Sequence, residues 1–186
     1  MGQERGAVCA AARDRVGRAS ALVLRGNHAE ADNELAEVEI QIRALGRPWE
    51  VSLALSSRGQ IMLDRGEWTR AEPMLAEAVA LLISIGDIYL LTHVVQQLAI
   101  VLAYSDDARR SAVPFGACAA LSDQSGHVSL SVLARDGAHA AEKVVVELGQ
   151  EGYDVLFGEG RGMPSRDLLA FVTPAESAPD RATSRH

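Results

Sequence analysis

An all-helical solenoid of about three helical hairpins, closed by a C-terminal helical cap, is the fold class the sequence predicts. Three observations predict it. The chain nearly repeats itself at an offset of forty residues: LRGNHAEADNELAEVEIQIRALG (24–46) aligns with DRGEWTRAEPMLAEAVALLISIG (64–86). The alignment sets Arg25 on Arg65, Gly26 on Gly66, Ala31 on Ala71, Leu35 on Leu75, Ala36 on Ala76, Glu37 on Glu77 and Gly46 on Gly86. A fixed period in this range marks stacked helical units, none of which can bury its apolar face alone. Composition agrees: 48% of the 186 residues are apolar but only 4% aromatic, and Ala and Leu dominate, which suits helices packed through small side chains. Within each unit the apolar residues recur at spacings of three and four, the helical period.

Taken in order, 5–24 reads as a first helix, broken at Gly26-Asn27. The second covers 29–45, with Ala31, Leu35, Val38 and Ile42 on one face and Gly46 as a left-handed stop. Pro48 suits the first turn of a third helix, 48–64, because its missing N–H is not needed there. Val51, Leu55 and Met62 are its core candidates. Gly59 lies mid-helix, where glycine costs about 1 kcal/mol against alanine, so a close neighbour is expected there. The fourth helix, 68–85, turns Ala71, Met74, Leu75, Ala78 and Leu82 inward, with Pro73 expected within about the first turn. The fifth, 88–104, is apolar nearly all round, with Thr92, His93, Gln96 and Gln97 as its polar stripe. It should therefore be covered on most sides. Ser105-Asp106-Asp107 signals a turn and an N-cap. The sixth helix, 108–122, is a degraded third copy with Ser111, Phe115 and Cys118 at the places of Ala71, Leu75 and Ala78. After a loop at 123–129 come a helix at 130–148 stopped by Gly149, a short one at 151–158, and a last apolar turn N-capped by Ser165. The expected organisation is a repeat domain over 5–122 (units 6–45, 46–85 and 86–122), capping helices over 123–172 and a disordered polar tail over 173–186.

Several function classes are disfavoured. The net charge of −7 and a pI near 5.2 argue against direct nucleic-acid binding. The 88–104 stretch is too short and too polar to span a membrane. The start MGQERGAV has no signal-peptide core, so a cytoplasmic chain is expected. Cys9 and Cys118 lack CxxC spacing and sit among small apolar residues, as buried free thiols do. No two of the five histidines form HxxxH or HExxH, so neither a metal nor another cofactor is expected. Glu34, Glu37 and Glu39 read as a solvated helix face rather than paired catalytic carboxylates. Ser56, Ser57, Ser122 and Ser125 lack a nucleophile context. Nothing points to an enzyme.

Gly59, Met62, Gly66, Ala71, Leu75 and Ala78 fall where a tetratricopeptide repeat wants small, large, turn-glycine, alanine, large and alanine residues. The chain resembles that repeat class, with a unit longer than its usual thirty-four residues. The forty-residue unit, the Gly86-Asp87 and Gly46-Arg47 starts, GACAAL in the sixth helix and the later GEGRGMPSRDLLAF are similar to one subgroup. These are the C-terminal helical repeats of large actinobacterial LuxR-type regulators that also carry an ATPase. The resemblance covers 6–172 and implies a right-handed solenoid. Those regulators carry a GxxxxGK[ST] loop and often a helix-turn-helix; here the single lysine, Lys143, follows Ala-Glu, and no DNA-binding module is found.

By analogy with such repeats, Leu53, Ser56 and Gln60 on one inner helix and His93, Gln96 and Ile100 on the next would line a concave groove, and Trp49 and Gln97 are placed on the same concave face. The expected function is a non-catalytic interaction module of a LuxR-type transcriptional regulatory system that binds a protein or peptide there. The alternatives are a fragment of a larger ATPase regulator and a small-molecule sensor with a pocket under the fifth helix, framed by Trp49, His93 and Gln97. Apolar surface on the first helix points to a homodimer as a further association. Trp49 and Trp68 are expected to plug junctions between helices.

Overall fold

In a computed structural model, which describes residues 2–126 and 131–172, eight helices and no strand are present among the described residues. They are α1 (Gly2–Leu24), α2 (His28–Ala44), α3 (Pro48–Arg65), α4 (Trp68–Ile85), α5 (Ile88–Tyr104), α6 (Ala108–Ser125), α7 (Ser131–Gly162) and α8 (Ser165–Val172). The polar tail from 173, residues 127–130 and the side chain of Cys9 lie outside the described residues.

The connectors are built alike. Gly26, Gly46, Gly66, Gly86 and Gly126 have positive φ, and Asp106 occupies the same left-handed region at φ 56°. These positions are spaced by twenty residues, so the forty-residue repeat is two helices long. After four of the helices the turn closes with the same pair of backbone bonds. At Gly66, for instance, its N–H donates to the Leu63 carbonyl and the next N–H, of Glu67, donates to the Met62 carbonyl. This motif satisfies carbonyls at the helix end that have no partner within the helix. The residue after the glycine already N-caps the next helix, so each helix folds back alongside its predecessor.

Each helix from α1 to α6 packs on the next, and α1 on α3, α3 on α5 and α5 on α7 pack as well. The odd-numbered helices thus form one layer. Across the even layer, α2 reaches α4 through Arg43 and Glu77, and α4 reaches α6 through Glu72 and Arg110. The core between the layers follows the repeat: Ala31, Ala71 and Ser111, then Leu35, Leu75 and Phe115, then Val38, Ala78 and Cys118, are all buried. Ser111 carries a hydroxyl into an alanine place and donates it to the Ala99 carbonyl at 2.8 Å. A Cβ on Gly59 would stand 2.5 Å from Leu75 Cδ2, so the expected close neighbour is the Leu75 side chain.

Four expectations need correction. Pro73 sits at the sixth residue of α4, inside the helix, where it withdraws an N–H from the ladder. Helix α6 continues through Ser125, over the first part of the expected loop. The helices expected at 130–148 and 151–158 do part at Gly149 (φ 72°, ψ 159°), but the second runs on to Gly162. Glu39 is buried rather than solvated: it accepts from Arg58 Nη1 at 2.8 Å and from Arg43 Nη2 at 2.7 Å, and Arg58 Nε also donates to Asp32 at 2.8 Å.

The C-terminal segment crosses α6 backbone to backbone. A Cβ on Gly116 would stand 1.9 Å from the Phe157 carbonyl oxygen, and one on Gly160 would stand 1.9 Å from that of Val113. Helix α8 then lies against α4 and α6, held in part by Arg110 Nε donating to the Phe171 carbonyl at 3.4 Å.

Two glycine-to-alanine changes should act in opposite directions. Gly66→Ala forces a Cβ into φ 71° and should cost about 1–2 kcal/mol. Gly17 lies within α1 with nothing near its would-be Cβ, so Gly17→Ala should gain about 0.5–1 kcal/mol. Urea denaturation of both variants checks the pair of signs.

Candidate functional site

The odd-numbered layer is tied by polar side chains. Between α1 and α3, the Ser20 and Ser57 hydroxyls meet at 2.8 Å. Between α3 and α5, Ser56 Oγ donates to Gln97 Oε1 at 2.8 Å. The Gln97 amide donates to Gln60 Oε1 at 3.0 Å and to the Ser56 carbonyl at 3.3 Å. Gln60 in turn donates to Asp64 at 2.8 Å, and Asp64 pairs with His28 Nε2 at 3.1 Å. Between α5 and α7, Gln96 Nε2 donates to the Leu133 carbonyl at 3.3 Å, and its amide lies where a Cβ on Gly137 would press.

The residues singled out from the sequence therefore occupy two depths. Ser56 and Gln97 are buried and bonded to each other inside the α3–α5 contact. Leu53, Gln60, His93 and Gln96 are half-buried on the same helices. Trp49 stands apart at the start of α3, where its Nε1 donates to Asp87 Oδ2 at 2.8 Å. Asp87 is the N-cap of α5 and accepts the Leu90 N–H at 2.9 Å, so the indole bridges the starts of two odd helices. Trp68 fills a different junction and stacks on Tyr104 with ring centroids 4.9 Å apart.

One cleft of about 330 Å³ is lined by Arg13, Gly46, Arg47, Pro48, Trp49, Glu50 and Ile85. It includes Trp49 but neither His93 nor Gln97. Glu50 is its buried anchor. Its Oε1 accepts from Arg13 Nη2 at 3.1 Å and from Arg47 Nε at 3.1 Å and Nη2 at 2.8 Å. Burial pushes the Glu50 carboxyl up, but the bonds from Arg47, from its own backbone N–H and from Arg13 outweigh it and hold it below the usual range. The sequence reading missed this cluster because Arg-Pro-Trp-Glu at a helix start looks like an ordinary capping turn. The signal it contained was an aromatic residue flanked by both charges.

Burial pushes the Cys118 thiol up to about 11, so it is protonated at neutral pH, and it donates weakly to the Thr92 carbonyl. Among the described residues no three His, Cys, Asp or Glu side chains are grouped to hold a metal ion. No described helix is long and apolar enough to cross a membrane. The half-buried parts of the layer offer the amides of Gln60 and Gln96 and the imidazole of His93 for hydrogen bonding, beside the apolar side chain of Leu53. Compared with protein-family models, curated proteins and solved structures, the chain matches none of them.

The buried tie should behave as a unit. Ser56→Ala and Gln97→Leu should each cost about 1–3 kcal/mol, and the double variant should fall short of the sum by about 1 kcal/mol; denaturant midpoints of the four proteins check this. The carboxyl of Glu50 titrates lower in the folded chain than in the unfolded chain. Its contribution is therefore complete above about 4.5 and is lost as pH falls through the depressed value. Acid unfolding of Glu50→Gln, compared with the wild type from pH 6 to pH 2, should show a shallower loss of stability.

Proposed function

We propose that this chain is a non-catalytic helical-repeat interaction module that takes a protein or peptide partner along the face of its odd-numbered helices. In this reading it is a right-handed, tetratricopeptide-like solenoid. The observation that carries the reading is the difference between the layers. Odd helices pack directly on one another, whereas even helices reach across by long arginine and glutamate side chains. Closer spacing on one side curves a stack toward that side, and curved stacks present extended concave binding surfaces. Leu53 and Gln60 on α3 and His93 and Gln96 on α5 then face the groove, with Ser56 and Gln97 setting the spacing beneath them. The resemblance of GACAAL and GEGRGMPSRDLLAF to repeat regions of LuxR-type regulators supports a place in such a regulatory system, within the cytoplasm and as part of a larger ATPase regulator or beside one.

The test leaves the buried tie intact. The full chain and a Leu53→Arg, His93→Glu variant serve as baits in a lysate of the organism that makes the protein, with mass-spectrometric readout. A partner held by the wild type should be lost by the variant while circular dichroism shows the same helicity and melting temperature. Identical partner sets for the two baits would remove the concave face from the proposal.

A further inference from the structure

A second surface stands out at the edge where α3 and α5 begin and α4 ends. Three of the six exposed large apolar side chains among the described residues gather near it: Trp49, Ile85 and Tyr89. Trp49 and Ile85 are walls of the same cleft, and Tyr89 lies two residues beyond the Asp87 that pins the indole. With Arg13 and Arg47 on the rim, the patch has the Trp, Tyr and Arg composition that dominates binding energy at protein interfaces.

Its charge faces one way. Both acids of the patch are already engaged. Glu50 has a side chain only 5% exposed and takes three guanidinium bonds, and Asp87 accepts from the Trp49 indole and from the Leu90 backbone. The guanidiniums lie outward of them: the side chains of Arg13 and Arg47 are 58% and 40% exposed. Among the described side chains, solvent at this edge therefore meets guanidinium and apolar surface, on a chain whose net charge is −7.

The shape limits the occupant. A volume of about 330 Å³ is at the small end of ligand sites, and the apolar surface continues outside the cleft to Tyr89, which is 65% exposed. One large apolar side chain fits the cleft, and the rest of its chain can run across the rim. The hydrogen bond to Asp87 holds the indole in place before anything binds, which reduces the entropy lost on binding.

We infer that this edge is a docking site for a short acidic–apolar segment of a partner protein, with an apolar side chain between Trp49 and Ile85 and a neighbouring carboxylate on Arg13 and Arg47. A guanidinium pair that already shares one buried carboxylate is held in position for a second, and Arg–carboxylate bonds give such a contact its direction. The site is separate from the concave strip of Leu53, Gln60, His93 and Gln96, and its fate does not depend on that strip.

Selection of a displayed random dodecapeptide library on the full chain tests it. The expected result is enrichment of peptides with an apolar residue next to Asp or Glu. A synthetic copy of the best should bind about tenfold more weakly to Ile85→Asp and about threefold more weakly to Arg13→Gln. It should also weaken when its own acid is changed to the amide, and bind the Leu53→Arg, His93→Glu variant unchanged. Ile85 is half outside the fold already, and circular dichroism confirms that each variant is folded. Enrichment of basic or uncharged peptides, no enrichment at all, or equal binding by Ile85→Asp would overturn the inference. So would displacement of the peptide by sub-millimolar 3-phenylpropionate, which would make the edge a site for small free acids.

Discussion

The left-handed residue at the end of each helix from α1 to α6 is the constraint on which the rest of this structure depends. Gly26, Gly46, Gly66, Gly86 and Gly126 hold it without a Cβ, and Asp106 holds it as one of the few side chains that tolerate the region. Because the next residue already caps the following helix, reversal is complete within two or three residues. The spacing of twenty then fixes helices of 17 or 18 residues from α2 to α6. Equal lengths and equal turns are what let consecutive helices alternate between two layers, with every second one adjacent to the last.

Within that frame the two layers are joined differently from how each is joined to itself. Between layers the contact is small against large. The column Ala19, Gly59 and Ala99 is buried, and at Gly59 a single missing methyl admits Leu75. Along the odd layer the joints are hydroxyls and amides at 2.8–3.3 Å. Along the even layer they are ion pairs, and between α2 and α3 a further set, Arg58 with Asp32 and Glu39, is largely shielded from solvent. Charges at such a depth are tolerable only while every partner is present, so removing one costs more than the pair contributes.

The sequence displayed the parts of this plan that have a period. Turn glycines, the Ala31/Ala71 and Leu35/Leu75 stripes and the all-round apolar fifth helix are properties of single helices, and each was legible at its place. Relations between helices were not. Glu39 lies on the same stretch as Glu34 and Glu37, and only the position of Arg58 on the next helix decides that it is buried. Ser56 and Gln97 looked equivalent to Gln60 and Gln96, yet forty-one residues separate the two that meet. Ser105-Asp106-Asp107 signalled its turn, but not that Asp106 takes the left-handed conformation that glycine takes elsewhere. At Gly116 and Gly160 the crossing of two backbones leaves no trace in either segment alone. The cluster around Glu50 is of the same kind, since Arg13 and Ile85 reach it from α1 and from the end of α4.

The different joints also give the array a stiff side and a soft side. A hydroxyl–amide bond inside the α3–α5 contact is shielded from water and indifferent to salt, and in that low-dielectric setting it holds those helices firmly together. An arginine–glutamate bridge between exposed side chains, such as Arg43 to Glu77, is worth little in water, is screened by ions and can lengthen without loss of a packed contact. The α2–α4 joint of the even layer is therefore softer than the α3–α5 joint of the odd layer, whereas α4 and α6 are also covered by α8. A partner read along the odd helices would meet a ruler of constant pitch.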